Sequence, residues 1–236
     1  MLMPKKSLVV ISIVSVMSLT GCGGGSSNGG SSDAGFNVSD YQKSELTQEL
    51  KNSLAYMGNE ERLAHDVYMN LYNYHKQNGI EIKQLYNIAT RSETRHIQTV
   101  QDLVKRYNIS LNDLTIVDAN VVNSNNMSAN NMPSGVYDVP KIQELYDYLY
   151  DKGINSQKDA LKVGCMVEVT DINDLNEYIK EAEESNAKDV KAAFEFLRKG
   201  SYNHYWAFDN GLKNIGVSDG CCSLGDKYCH PEYPKK

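Results

Sequence analysis

Glu93-Thr94-Arg95-His96 sets a carboxylate and an imidazole three residues apart. On a helix that spacing puts both on one face, aimed at one point. A carboxylate beside a neutral imidazole suits iron, manganese or zinc. One such pair arises often by chance, so its meaning depends on what other segments bring to the same place. Glu61, Glu168 and His204 each stand in the middle of an apolar series at helical spacing.

Those series define the elements that must position the ligands. Helix A is expected over 42–77, with a stripe of Leu54, Met57, Glu61, Ala64, Tyr68, Leu71 and His75, stopped by Asn78-Gly79. Helix B is expected over 82–107, with Tyr86, Ala89, Glu93, His96, Val100, Leu103 and Tyr107 on its apolar face. From 108 to about 139 periodicity fails through an Asn-rich run and Pro133-Ser134-Gly135. This long crossover carries a short helix at 141–151, ended by Gly153. Helix C starts at Ser156, capped with Asp159, and its stripe reads Leu161, Cys165, Glu168, Ile172, Leu175, Ile179 and Ala182, with Asp171 at the edge. Asn186 is the expected N-cap of helix D, whose stripe reads Val190, Phe194, Leu197, Ser201, His204 and Phe208, with Gly211 as its stop.

Each of four helices thus buries polar groups at mid-stripe, and buried carboxylates are normally paired or bound to metal. Three acids (Glu61, Glu93, Glu168) meet two histidines (His96, His204), with no Lys or Arg on the stripes to neutralise them. A divalent cation, or two, would do so; the alternative is a set of solvated rim positions. The fold class expected is all-α, a four-helix bundle with a long crossover between helices B and C.

The chain has 236 residues, a net charge of -6 and 41% hydrophobic residues, which fits a globular core and gives no nucleic-acid footprint. Residues 1–21 read as a lipoprotein signal peptide: Lys5 and Lys6, an apolar run from Leu8 to Leu19, then Leu19-Thr20-Gly21-Cys22, which resembles a bacterial lipobox. That resemblance implies lipidation of Cys22 and anchoring in the cell envelope, at an outer membrane facing the periplasm or the cell surface where the host has two membranes. Residues 22–37 form a Gly/Ser-rich tether, 38–211 the bundle and 212–236 a cysteine-containing tail.

The motifs also carry a family resemblance. Glu61-Arg62-Leu63-Ala64-His65-Asp66-Val67-Tyr68 is similar to the first-helix signature of the domain of unknown function 2202 (DUF2202) group, within the ferritin-like dimetal-carboxylate superfamily. Ser92 to His96 resembles that group's second-helix motif, Val163 to Ile172 the third, and Gly200 to His204 the fourth. The resemblance implies a ferritin-like bundle with metal ligands Glu61, Glu93, His96, Glu168 and His204. It assigns no reaction. Where the wider superfamily has Glu-x-x-His in the fourth helix, this chain has Ser201-x-x-His204, so a bridging acid is missing unless Asp171 substitutes.

Several other residues allow two readings. His65 is a flanking residue rather than a fourth ligand, and His75 ends a stripe. Tyr68 and Tyr72 either hydrogen-bond the ligand carboxylates or simply pack. Trp206 belongs to core or interface. Once Cys22 is lipidated, Cys165, Cys221, Cys222 and Cys229 remain as disulfide candidates. Neighbours in sequence rarely bond each other, so Cys221 and Cys222 are expected to pair with Cys165 and Cys229. A zinc site using His230 is the alternative.

The expectation is therefore a metal-binding lipoprotein holding one or two ions of iron or manganese. As an enzyme it would be a non-haem diiron-type oxidase or peroxidase acting on peroxide or dioxygen. Otherwise it is a non-catalytic envelope module, or an interaction protein with a degenerate site. Its partners would be metal ions, the membrane through the lipid alone, and in one allowed assembly a second copy as a homodimer, but not nucleic acid.

Overall fold

Thr47 starts the first helix. Its hydroxyl accepts from the Leu50 N–H at 3.2 Å, and α1 runs Gln48–Gln77. The start falls at Gln48 rather than 42 because this cap fixes it there. Gly79, at φ +81, lets the Ile80 N–H reach back to the His75 carbonyl at 2.9 Å and closes the helix. The computed structural model describes residues 35–109, 133–137 and 139–235, and no strand occurs among them. All belong to one compact unit, Gly35–Lys236. The expected signal peptide, most of the tether and the Asn-rich run lie outside the described residues.

The second rod has three parts: α2 (Lys83–Ile88), a π-helical turn (Ala89–Glu93) and α3 (Thr94–Tyr107), with helical backbone across both junctions. The π turn corrects the expected stripe. It winds one extra residue into the helix, so counting back from Glu93 in steps of 3.6 keeps Ala89 inward, as it is, but misplaces Tyr86 one turn further back. Tyr86, expected inward, is 43% exposed, and Leu85 and Ile88 are buried instead.

Pro140 sits in the first turn of α4 (Pro140–Gly153), where a missing N–H costs nothing. Ser156 caps α5 (Gln157–Glu184) by accepting from the Asp159 N–H at 3.1 Å. The last helix, α6, spans Lys188–Asn214. Asn186 is not its N-cap. It takes a left-handed conformation, φ +54, while the Ala187 N–H bonds the Ala182 carbonyl at 2.8 Å, so it terminates α5. Nor does Gly211 stop α6. A Cβ there would lie 3.1 Å from both Gln84 and Leu161, so the glycine is buried under α2 and α5, and the stop is Gly216 at φ +89.

Four rods form a closed ring: α1 touches the second rod and α5, and α6 touches α5 and the second rod. α4 packs outside, against α1 and α5. The interior divides into two apolar cores. One gathers Leu50, Leu54, Met57, Val100, Leu103, Leu175, Phe194 and Leu197. The other gathers Leu63, Val67, Leu71, Leu85, Val163, Val169, Tyr205 and Phe208. On α1, on the second rod and on α6 the change from one core to the other falls at Glu60–Glu61, Glu93–His96 and Ser201–His204. A polar layer therefore crosses the bundle between two cores whose larger side chains each contribute roughly 1.5–3 kcal/mol.

Two disulfides hold the tail: Cys165–Cys221 ties it to α5, and Cys222–Cys229 closes a short loop within it. With all four thiols paired, the alternative zinc site is not formed, and His230 instead meets Glu232 at 2.8 Å. Trp206 lies against the tail and donates to the Pro234 carbonyl at 3.1 Å.

Candidate metal centre

Glu93 closes the π turn and His96 lies in the first turn of α3. His96 Nδ1 stands 3.0 Å from Glu93 Oε2 and 3.0 Å from Glu61 Oε2 of α1. Across the layer, His204 Nδ1 of α6 stands 3.0 Å from Glu93 Oε1 and 3.4 Å from Glu168 Oε2 of α5. The two rings lie 5.4 Å apart, centroid to centroid. The layer thus holds two groups of three ligand atoms, Glu61/Glu93/His96 and Glu93/Glu168/His204, each within 4.8 Å, and both are buried. Glu93 belongs to both, offering one oxygen to each side.

The donor set fits a divalent metal by three observations. First, Glu61 Oε1 is buried without a hydrogen bond, a costly state for a group meant to stay empty. Second, neighbours hold the ligands in place. Ser92 Oγ lies 2.7 Å from His204 Nε2, so a proton on that nitrogen donates to Ser92, and in the neutral ring Nδ1 would be left free to take a metal. Tyr68 donates to Glu168 Oε1 at 2.5 Å and leaves Oε2 for the site. Third, the mix of imidazole nitrogen and carboxylate oxygen suits iron, manganese or zinc.

The electrostatics without a metal point the same way. Burial pushes Glu61 up to about 7, moderated by His96. Burial also raises Glu168, and it raises Asp171 strongly, with Glu61 and Glu168 adding to it. Burial opposes charge on His204, but Glu93 and Glu168 outweigh it and lift the ring to about 10. The same contest holds Glu93 well below the usual carboxyl range, because both imidazoles face it. Protons on the two rings thus stand where cation charge is wanted.

Asp171, the expected substitute for the missing acid, belongs to neither three-ligand group. Its Oδ2 accepts from Ser201 Oγ, and its Oδ1 is buried without a hydrogen bond. The group shared between the two halves is Glu93. His65 Nδ1 meets its neighbour Asp66 at 3.0 Å. His75 is buried, with Nε2 2.8 Å from the Gly153 carbonyl, and secures α4. Tyr72 reaches Glu81 at 3.3 Å, away from the centre.

Three groups at the site escaped the sequence reading. Ser92 belongs to the second-helix motif, but its partner His204 lies on α6, 112 residues away, and no spacing marks that contact. Gly200 packs against the His96 ring, where a Cβ would meet Nε2 at 2.3 Å, and nothing in the sequence marks that closeness. Glu60 is fully buried beside Glu61, and adjacent acids on a helix are usually read as one inside and one outside.

A family profile described as "Uncharacterized protein domain (DUF2202)" matches residues 50–226, which include every ligand named above. The chain is 36% identical to "Uncharacterized protein MJ0754" of Methanocaldococcus jannaschii over 179 residues, 76% of this chain and 83% of that protein. The crystal structure of the hypothetical protein MJ0754 superposes with a TM-score of 0.61 at 37% identity, covering 75% of this chain and 86% of that one.

Proposed function

The chain belongs to the DUF2202 family, and we propose that it binds a pair of divalent metal ions, iron or manganese, in the polar layer of a ferritin-like bundle. One observation carries this reading: Glu93 stands between two buried ligand groups and offers each a separate oxygen. In the proposed site Glu61 and His96 would hold one ion, Glu168 and His204 the other, and Glu93 would offer an oxygen to each. Ser92 and Tyr68 fix the orientation of His204 and Glu168 and keep their ligand atoms inward.

An iron pair, when bound, supplies the electrons for reducing peroxide or dioxygen, and the reaction class proposed is that of a non-haem oxidase or peroxidase. The two flanking apolar cores would keep bulk water from such a site. A binding module without turnover is the second reading. What favours it is Ser201, which donates to Asp171 and leaves α6 with His204 alone as a ligand.

We further propose that the bundle is anchored in the cell envelope through Cys22, with metal ions as its partners. The lipobox-like run supports this, and so do two disulfides, which persist in oxidising compartments. Elemental analysis of the purified protein, before and after anaerobic iron loading, tests the metal reading. Two ions per chain supports a bridged pair and makes peroxide and dioxygen consumption the next assay. One ion favours the module. None in either preparation removes the metal reading.

A further inference from the structure

Glu60 stands apart from the ligand set and is harder to account for than any member of it. It is 2% exposed, and neither carboxylate oxygen has a hydrogen-bond donor. The side chain facing it is another carboxyl, Asp174 of α5, and Asp171 and Glu61 add further negative charge. Among the described residues, none of the ion pairs involves Glu60, Asp171 or Asp174. A buried carboxylate among like charges needs a cation or a proton.

The acids around it are ordered in depth. Asp171, Asp174 and Glu177 follow at steps of three along α5, and they pass from buried to half-buried to exposed. Glu181 continues the row and accepts from Ser53 of α1 at 2.6 Å, which sets this face of α5 against α1. Glu60 comes from α1 beside the inner end of the row, next in sequence to the ligand Glu61. A graded line of one charge sign between low-dielectric walls draws counter-ions inward.

We propose that Asp174 and Glu60 form a loading route by which a divalent cation from solution passes along the α1–α5 face to Glu61, a role that rests on the metal-binding reading above. Asp174 meets the ion at the half-exposed end. Glu60 takes it into the layer, where its two undonated oxygens replace water, and Glu61 receives it. The ion moves with no change in oxidation state.

Stopped-flow mixing of the metal-free full chain with Co(II), followed by visible absorption and ended by a stoichiometry measurement, tests the route. Glu60→Gln and Asp174→Asn should each slow loading by about ten-fold and leave the final ion count unchanged. The wild-type rate should fall as salt is raised, and less steeply in the variants. Circular dichroism checks the fold, and half-exposed Asp174 supplies the safer variant should Glu60→Gln unfold. Wild-type rates in both variants overturn the route and leave a proton-sharing carboxyl pair. An unchanged rate with one ion lost in Glu60→Gln also overturns it, in favour of a resident ion. If the wild-type chain itself binds no Co(II), the metal reading falls and the route with it.

Discussion

Glu93 carries more than its share of the centre because it faces both imidazoles. Glu93→Gln keeps the shape but removes the shared charge, so it should weaken both ions, by more than about 100-fold in affinity. Glu168→Gln should weaken only the ion held with His204. Calorimetric titration with Co(II) or Mn(II) separates the two, and equal effects would refute the shared role. Ser92→Ala frees the His204 ring and should cost about 10–100-fold, the scale of lost support to a ligating histidine. The metal-free layer also predicts a pH dependence. A group raised on folding contributes fully below its unfolded value and loses that contribution as pH rises through its folded value. Glu61 makes this change between its usual 4.5 and about 7, and His204 between 6.5 and about 10. Glu93, held low, has the opposite sign, and its contribution is lost only as pH falls below the usual 4.5. Chelator-treated protein should therefore melt lower as pH rises from 4.5 to 7. Metal-saturated protein should show the reverse slope, since ligands bind metal only when unprotonated. Thermal melts across that range check both signs.

Among the elements, the second rod shows how a local irregularity serves a site. An unbroken α-helix that directs Glu93 and His96 inward would turn Ile88 aside and Tyr86 in; the π turn reverses the two by one extra residue, so that Ile88 is buried and Tyr86 exposed. Helix contacts elsewhere are equally specific. Gly200 of α6 gives the His96 ring its space, and an added Cβ would meet Nε2 at 2.3 Å. Gly200→Ala should leave the helical circular dichroism intact yet displace that ring. The visible spectrum of bound Co(II) should change and affinity should drop by about 10–100-fold. An unchanged spectrum would mean that the helices part without cost to the ligand.

For the molecule as a whole, stability comes from two cores joined across a buried layer of carboxyls that, without metal, is balanced by protons on His96 and His204. Metal removal at neutral pH should therefore lower the melting temperature, and a melting temperature indifferent to chelator would count against resident metal. The Cys165–Cys221 bond closes a loop with a sequence separation of 56 and ties the tail to α5 one turn from Glu168. Replacing both cysteines with alanine should cost about 2–4 kcal/mol in denaturant unfolding. Among the described residues no helix is long and apolar enough to cross a membrane.

Much was legible in the sequence because it is periodic. Apolar steps of three and four drew the long helices, and an acid or histidine interrupting them marked the polar layer, since such groups are costly inside without a partner. Ser156 with Asp159, and Gly79 after Asn78, gave local signals strong enough to place helix ends within a residue. The tertiary structure alone decided the rest. Periodicity assumes constant winding, so the π turn and the outward Tyr86 were invisible to it. Gly211 looks like a stop until α2 and α5 are seen to press on it. Asn186 looks like a cap until its carbonyl and N–H partners show that it ends α5 instead. Which acid is shared between the two ligand groups, Glu93 rather than Asp171, depends on how four rods face one another. No spacing within a single rod contains that distance.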